Sequence, residues 1–148
     1  ACHVDGQLKI RLSGAPEAVS AARHAIGGEM DESTAFWSDL KEQRLSFFAG
    51  DRPLWRLSVP TDAPRHPFTD DCLIDWGGAQ RWLRTDAPGE QVRAAASSMG
   101  GHAHCFRGGD REDAFHPLTP PLLKLHSKLK AAFDPQGILN PGRLYPTL

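Results

Sequence analysis

Cys72-Leu73-Ile74-Asp75-Trp76-Gly77-Gly78-Ala79-Gln80-Arg81-Trp82-Leu83-Arg84 holds two β-prone runs joined by a glycine pair. Adjacent glycines between such runs predict a hairpin, because a tight reversal needs backbone at positive φ. Upstream, Leu54-Trp55-Arg56-Leu57-Ser58-Val59 alternates, with Trp55, Leu57 and Val59 on one face and Leu54, Arg56 and Ser58 on the other. Downstream, residues 86–99 carry Val92, Ala95, Ala96 and Met99 at helical spacing, and Gly100-Gly101 stops the run before a strand over 102–107. The chain opens in the same way. Residues 7–12 alternate around Leu8, Ile10 and Leu12, and Pro16-Glu17 starts a helix with Val19, Ala22 and Ile26 on its apolar stripe. A second helix is expected over about 33–42, and a short strand or loop over 44–48. Residues 61–71, rich in Pro, Asp and Thr, read as an exposed connection, and 108–113 as a polar loop. Thr119-Pro120-Pro121 caps a last helix whose buried stripe is Leu122, Leu125, Leu129 and Phe133. Two β-α-β halves around a hairpin predict an α+β fold. It is an antiparallel sheet with helices packed on one face, ferredoxin-like, followed by a C-terminal helix and tail.

The 148 residues carry a net charge of -1, with 40% hydrophobic and 24% charged residues. That suffices for one good core and gives no reason to expect nucleic acid or an anionic membrane surface. Three cysteines are too few and too odd for a disulfide framework and fit a reducing compartment. No run is long and apolar enough to span a bilayer, and none reads as a signal peptide. Ala1 stands where an initiator methionine would, and the first residues read like the interior of a chain, so a fragment of a longer protein is expected.

The tail, Phe133-Asp134-Pro135-Gln136-Gly137-Ile138-Leu139-Asn140-Pro141-Gly142-Arg143, is the most constrained stretch. Pro135 forbids helix at Asp134, and Gly137 permits a left-handed turn. Asn140, before Pro141, is expected in extended geometry with its carboxamide free, and Gly142 leaves room for close approach of a backbone or ligand. On physical grounds alone this reads as a tidy turn packed on the core.

The same run closely resembles the C-terminal signature of FAD-linked oxidases of the vanillyl-alcohol oxidase/p-cresol methylhydroxylase type. Residues 54–60, 75–83, 100–103 and 118–122 extend the resemblance to the flavin subunits of glycolate oxidases within it, over essentially the whole chain. The resemblance implies that residues 1–117 form an α+β cap, or substrate, domain. Residues 118–148 would be a helix and tail returning to an N-terminal FAD-binding domain outside the sequence. It implies oxidation of a 2-hydroxy acid, glycolate to glyoxylate. The partners would be a homologous flavin subunit and an iron–sulfur subunit, in the cytoplasm or peripherally at the inner face of the cytoplasmic membrane. Asn140, Gly142 and Arg143 would lie near the flavin. No glycine-rich phosphate cradle is present, since Gly77-Gly78 and Gly100-Gly101 read as turn and helix stop. The piece alone is therefore expected to hold no FAD and to be inactive.

Arg56 is the first candidate for the substrate carboxylate, ahead of Arg81 and Arg107, because a guanidinium fork matches a carboxylate. A solvated strand edge or a salt bridge to Asp75 is the plainer reading. His102 and His104 share a strand face, with Cys105 on the other. A third metal ligand is missing, so no metal is expected, and one histidine is a candidate general base near the flavin. His24, His66 and His126 read as surface residues, and Lys124, Lys128 and Lys130 as the wet face of the last helix. Of the four tryptophans most read as core or interface fillers, with Trp76 a candidate partner contact. The alternative function is a non-catalytic ferredoxin-like interaction module that binds partner subunits.

Overall fold

A computed structural model describes residues 1–31, 33–68, 71–110 and 113–148. The predicted hairpin is present as β4 (Cys72–Asp75) and β5 (Gln80–Arg84). Its turn is longer than a two-residue one. Trp76, Gly77 and Gly78 all take positive φ (51°, 63° and 101°), and the ladder closes at Asp75 opposite Gln80. Gly78 is also a close-approach position, since a Cβ there would lie 2.6 Å from the Thr61 carbonyl oxygen.

Strand β3 (Leu54–Ser58) lies between β5 and β6 (His102–Arg107). At the other end a strand that the sequence reading missed, β1 (Cys2–Val4), pairs with both β4 and β2 (Gln7–Lys9). Asp5 and Gly6 join β1 to β2 with φ of 50° and 73°, the chemistry of an Asp-Gly hairpin turn. The sheet is six-stranded and antiparallel, in the order β2-β1-β4-β5-β3-β6. With four helices, α1 (Pro16–Ile26), α2 (Ala35–Lys41), α3 (Gly89–Ser98) and α4 (Pro120–Phe133), it is the expected α+β class.

Register decides the faces. Trp55 opposes Leu83 and Cys105, and Leu57 opposes Ala103. These residues form one cluster with Val92, Ala96 and Met99 of the α3 region. Leu54, Leu73 and Trp82 point the other way and pack with Cys2, Val4 and the 3-10 turn Ser46–Phe48, against which Phe36, Trp37 and Leu40 of α2 lean. Each fully buried leucine contributes roughly 1.5–3 kcal/mol. Close packing also explains Gly101, where a Cβ would sit 2.1 Å from the Ser58 carbonyl oxygen.

Several expectations are corrected. Strand pairing ends at Lys9, and Leu8, Ile10 and Leu12 are exposed instead of half-buried, because β2 is the sheet edge and nothing covers that face. Of the two readings offered for residues 44–48, strand or loop, the strand is not formed; the segment holds a 3-10 turn at Ser46–Phe48. The connection 61–71 is not simply exposed: His66 is buried, and Arg81 is hydrogen-bonded to the carbonyls of Ala63 and Pro64. Thr69 and Asp70 of that connection, Arg111 and Glu112 of the polar loop, and Glu32 before α2 lie outside the described residues. The stripe of α4 is bare: Leu122, Leu125, Leu129 and Phe133 are 46%, 50%, 48% and 81% exposed. Thr119 occupies the N-cap position of α4 without a side-chain capping bond.

Candidate functional site

On the face opposite α3, the central strand β3 presents Arg56 directly across from His104 on β6 and Trp82 on β5, with Ser58 opposite His102. Arg56 is therefore on neither a strand edge nor a salt bridge: among the described residues no ion pair to Asp75 forms. Its guanidinium lies 6.0 Å over the Trp82 ring, and its buried Nε has no hydrogen-bond partner. The other candidate arginines are already used. Arg81 donates to the carbonyls of Ala63, Pro64 and Gly78, and Arg107 to the Phe48 carbonyl at 2.7 Å. Among the described residues no acceptor or ion-pair partner is bound by the Arg56 guanidinium, which lines a groove and can take a carboxylate there. That groove, about 630 Å³, is lined by Arg56, Trp82, Trp37, Gln80, Asp75 and Phe106, among others.

His104 is held neutral. Burial first, then the positive charge of Arg56 and the neighbouring His102, push its pKa down to about 4. Its ring stacks on Phe115 at 5.9 Å and 22°. The segment carrying Phe115 is fastened along the outer edge of β6. The Cys105 amide donates to the Ala114 carbonyl at 2.7 Å, and the Ala103 amide to His116 Nδ1 at 3.3 Å. Buried Arg93 of α3 donates to the carbonyls of Phe115 and Asp113 and pairs with the Asp113 carboxylate at 2.6 Å. His116, near His102 and Arg93, has its pKa lowered mainly by burial. Cys105 faces the α3 side, away from the histidines, and all three cysteines are free. Among the described residues no three His, Cys, Asp or Glu side chains could hold a metal ion together.

The tail is organised by a residue that the sequence reading used only as a helix stop. The Asp134 carboxylate accepts the amides of Ile138 (3.0 Å) and Leu139 (2.8 Å) and pairs with Lys130 at 2.7 Å. The legible signal was Asp followed by Pro and Gly, the composition of a side-chain-closed turn. Lys130 is thereby corrected from a wet-face residue to a clamp. Its ammonium also reaches the Leu139 carbonyl. Gly137 takes the expected left-handed φ of 66°. Asn140 does not take the expected extended backbone. Its φ is +47°, a region asparagine tolerates, and its carbonyl accepts the Arg143 amide at 3.2 Å in a turn. Gly142 is needed for its φ of 67° rather than for space, since a Cβ there would meet nothing within 4 Å.

The candidate residues thus fall into two groups. Arg56, His102 and His104 share one sheet face, while Gly142 and Arg143 line a second groove of about 970 Å³ with Arg107 and Phe115. Tyr145 ties the tail down by donating to the His116 carbonyl at 3.1 Å. Ile138 and Leu139, beside Asn140, are 69% and 57% exposed. Trp76 is 72% exposed, Trp55 and Trp82 are buried, and His66 is corrected from surface to interior.

The class is given by the C-terminal part: residues 109–144, which contain α4 and most of the tail, match the family of FAD linked oxidases, C-terminal domain. Over that segment the chain is similar to this domain. More particularly, it is 46% identical over 147 residues to the glycolate oxidase subunit GlcE of Escherichia coli (strain K12), across 99% of this chain and 41% of that protein. The resemblance read from the motifs is borne out at both levels. The chain spans about two-fifths of the length of this curated relative. No solved structure matches it. Among the described residues no helix is long and apolar enough to cross a membrane.

Proposed function

We propose that the longer protein of which this chain forms part is an FAD-linked 2-hydroxy-acid dehydrogenase subunit, with glycolate, oxidised to glyoxylate, as its substrate. The observation that carries this reading is the 46% identity, over nearly the whole chain, to a glycolate oxidase subunit. In this reading residues 1–117 are the cap over the substrate. Residues 118–148 dock on a flavin-binding domain outside these 148 residues.

The fit of FAD to this chain is partial. Gly78 and Gly101 are consumed by internal close approach, so these glycines form no pyrophosphate cradle. The tail groove with Gly142 and Arg143, and the exposed Ile138-Leu139-Asn140 run, suit apposition to the cofactor. FAD would be held chiefly by the other domain, and the 148 residues alone would retain none and be inactive. When bound, FAD supplies the two-electron oxidation. The chain's residues do the rest: Arg56 fixes the carboxylate, and the aromatic walls exclude water. Neutral His104, or its neighbour His102, accepts the hydroxyl proton. The partners are a homologous flavin subunit and an iron–sulfur subunit, and the site of action is cytoplasmic or peripheral at the membrane.

The test is the full-length protein purified with its partner subunits. A yellow flavin spectrum and acceptor-coupled loss of glycolate are expected. Arg56→Met should lower kcat/KM for glycolate roughly ten- to hundredfold, the worth of a charge-assisted hydrogen bond, with flavin content unchanged. A full-length protein that binds no flavin would instead favour the non-catalytic interaction module.

A further inference from the structure

The ladder between β3 and β6 is regular except at one place. The register shifts between Leu54 and Trp55, which face Arg107 and Cys105 and leave Phe106 as an extra, unpaired residue on β6. Phe106 keeps the parity of His102 and His104 along β6 and lies edge-on to Trp82 at 5.1 Å and 89°. It also sits 6.1 Å from His104, on the Arg56 face. It is 46% exposed. It lines the groove that holds Arg56, and it also lines the groove that holds Gly142 and Arg143; among the described residues no other is shared by the two. The phenyl ring is the partition between them.

From this, and resting on the reading of Arg56 as the carboxylate site, we infer that Phe106 is the specificity-determining residue for the substituent on C2 of the acid. A substrate carboxylate on Arg56 and a cofactor beside the tail lie on opposite sides of the ring. The carbon that joins carboxylate to hydroxyl must sit against it. A hydrogen on C2 passes, whereas an alkyl chain meets the ring. Removing the ring merges the two grooves and provides an apolar channel toward Phe115 and Leu144. The site is therefore built for short 2-hydroxy acids by a single side chain, which the alternation of β6 sets on the Arg56 face.

The experiment uses the full-length protein with its partner subunits and compares glycolate, 2-hydroxypropanoate and 2-hydroxyhexanoate by acceptor reduction. Flavin content and Tm are measured alongside. Wild type should fall steeply along this series. Phe106→Ala should raise the 2-hydroxyhexanoate-to-glycolate ratio of kcat/KM by at least about tenfold, the usual worth of a pocket contact, with flavin retained. Phe106→Leu, which keeps bulk and packing, should fall between the two and decides the matter if the alanine variant loses flavin. Unchanged ratios in flavin-loaded variants overturn the role of Phe106 while leaving the oxidase reading intact. Failure of the flavin-loaded wild type to oxidise any of the three acids overturns that reading and this inference with it.

Discussion

Arg56 and His104 face one another across the β3–β6 ladder, and their charges are coupled. The His104 imidazole, at about 4, lies below its ordinary value through burial and then through Arg56. The sign follows directly. Between that value and the ordinary histidine range near 6.5 the unfolded chain binds the proton and the folded one does not, so stability rises with pH across this window. A proton titration followed by NMR should show His104 neutral at pH 6 and titrating near 4. Arg56→Met should move its midpoint upward, and a midpoint unmoved by that change would remove the coupling. A carboxylate bound at Arg56 offsets the same positive charge, so it should raise the basicity of His104 when substrate is present. At the same scale, Gly101→Ala drives a methyl into the Ser58 carbonyl at 2.1 Å. A loss of about 1–3 kcal/mol is expected in urea unfolding.

Among the elements, α4 and the tail divide their work clearly. One side is locked: Asp134 binds Lys130 and the amides of Ile138 and Leu139, and its carboxyl is held below the usual range first by the Lys130 hydrogen bond. A depressed carboxyl stabilises above its unfolded pKa and loses that contribution as pH falls through the folded value. Protection of the Ile138 and Leu139 amides, measured against the intrinsic exchange rate at each pH, should therefore be lost only as pH falls below the unperturbed carboxyl value of about 4. Asp134→Asn should show faster exchange at neutral pH too. The other side is open, with Leu125 and Leu129 about half exposed. Leu129→Glu is expected to change the stability of the 148-residue chain by less than about 0.5 kcal/mol, as at an uncovered surface. In the full-length protein the same change should lower flavin retention. Equal flavin content in variant and parent would show that this stripe does not meet the flavin-binding domain.

For the whole molecule, both core clusters are built from β1, β3–β6, α3 and the Ser46–Phe48 turn, and none of their residues comes from α4 or the tail. A chain ending at residue 117 should keep a cooperative thermal transition. Leu57→Ala in the same chain should cost about 2–5 kcal/mol, because Leu57 has no exposed surface and α3 cannot collapse onto the gap. A non-cooperative melt of the shortened chain would make the terminal helix part of the fold rather than an appendage to it.

The sequence by itself determined the elements whose signals are local. Alternation placed Trp55 and Leu57 opposite Arg56 and Ser58, the glycine pair closed the Cys72–Arg84 hairpin, and Pro16, Pro120 and Gly137 marked helix starts and the tail turn. The motifs of the tail also carried the family resemblance. It did not determine what depends on neighbours distant in the chain. Apolar stripes at Leu8–Leu12 and Leu122–Phe133 have the period of buried faces, yet period says nothing of whether a cover is present. Only the tertiary structure showed them bare. Arg56, Arg81 and Arg107 look alike as residues. Pairing with carbonyls from distant loops spends two of them and leaves Arg56 with a donor to offer. Alternation sets Phe106 on the face of His102 and His104, but only the register between strands some fifty residues apart brings that face beside Arg56 and Trp82.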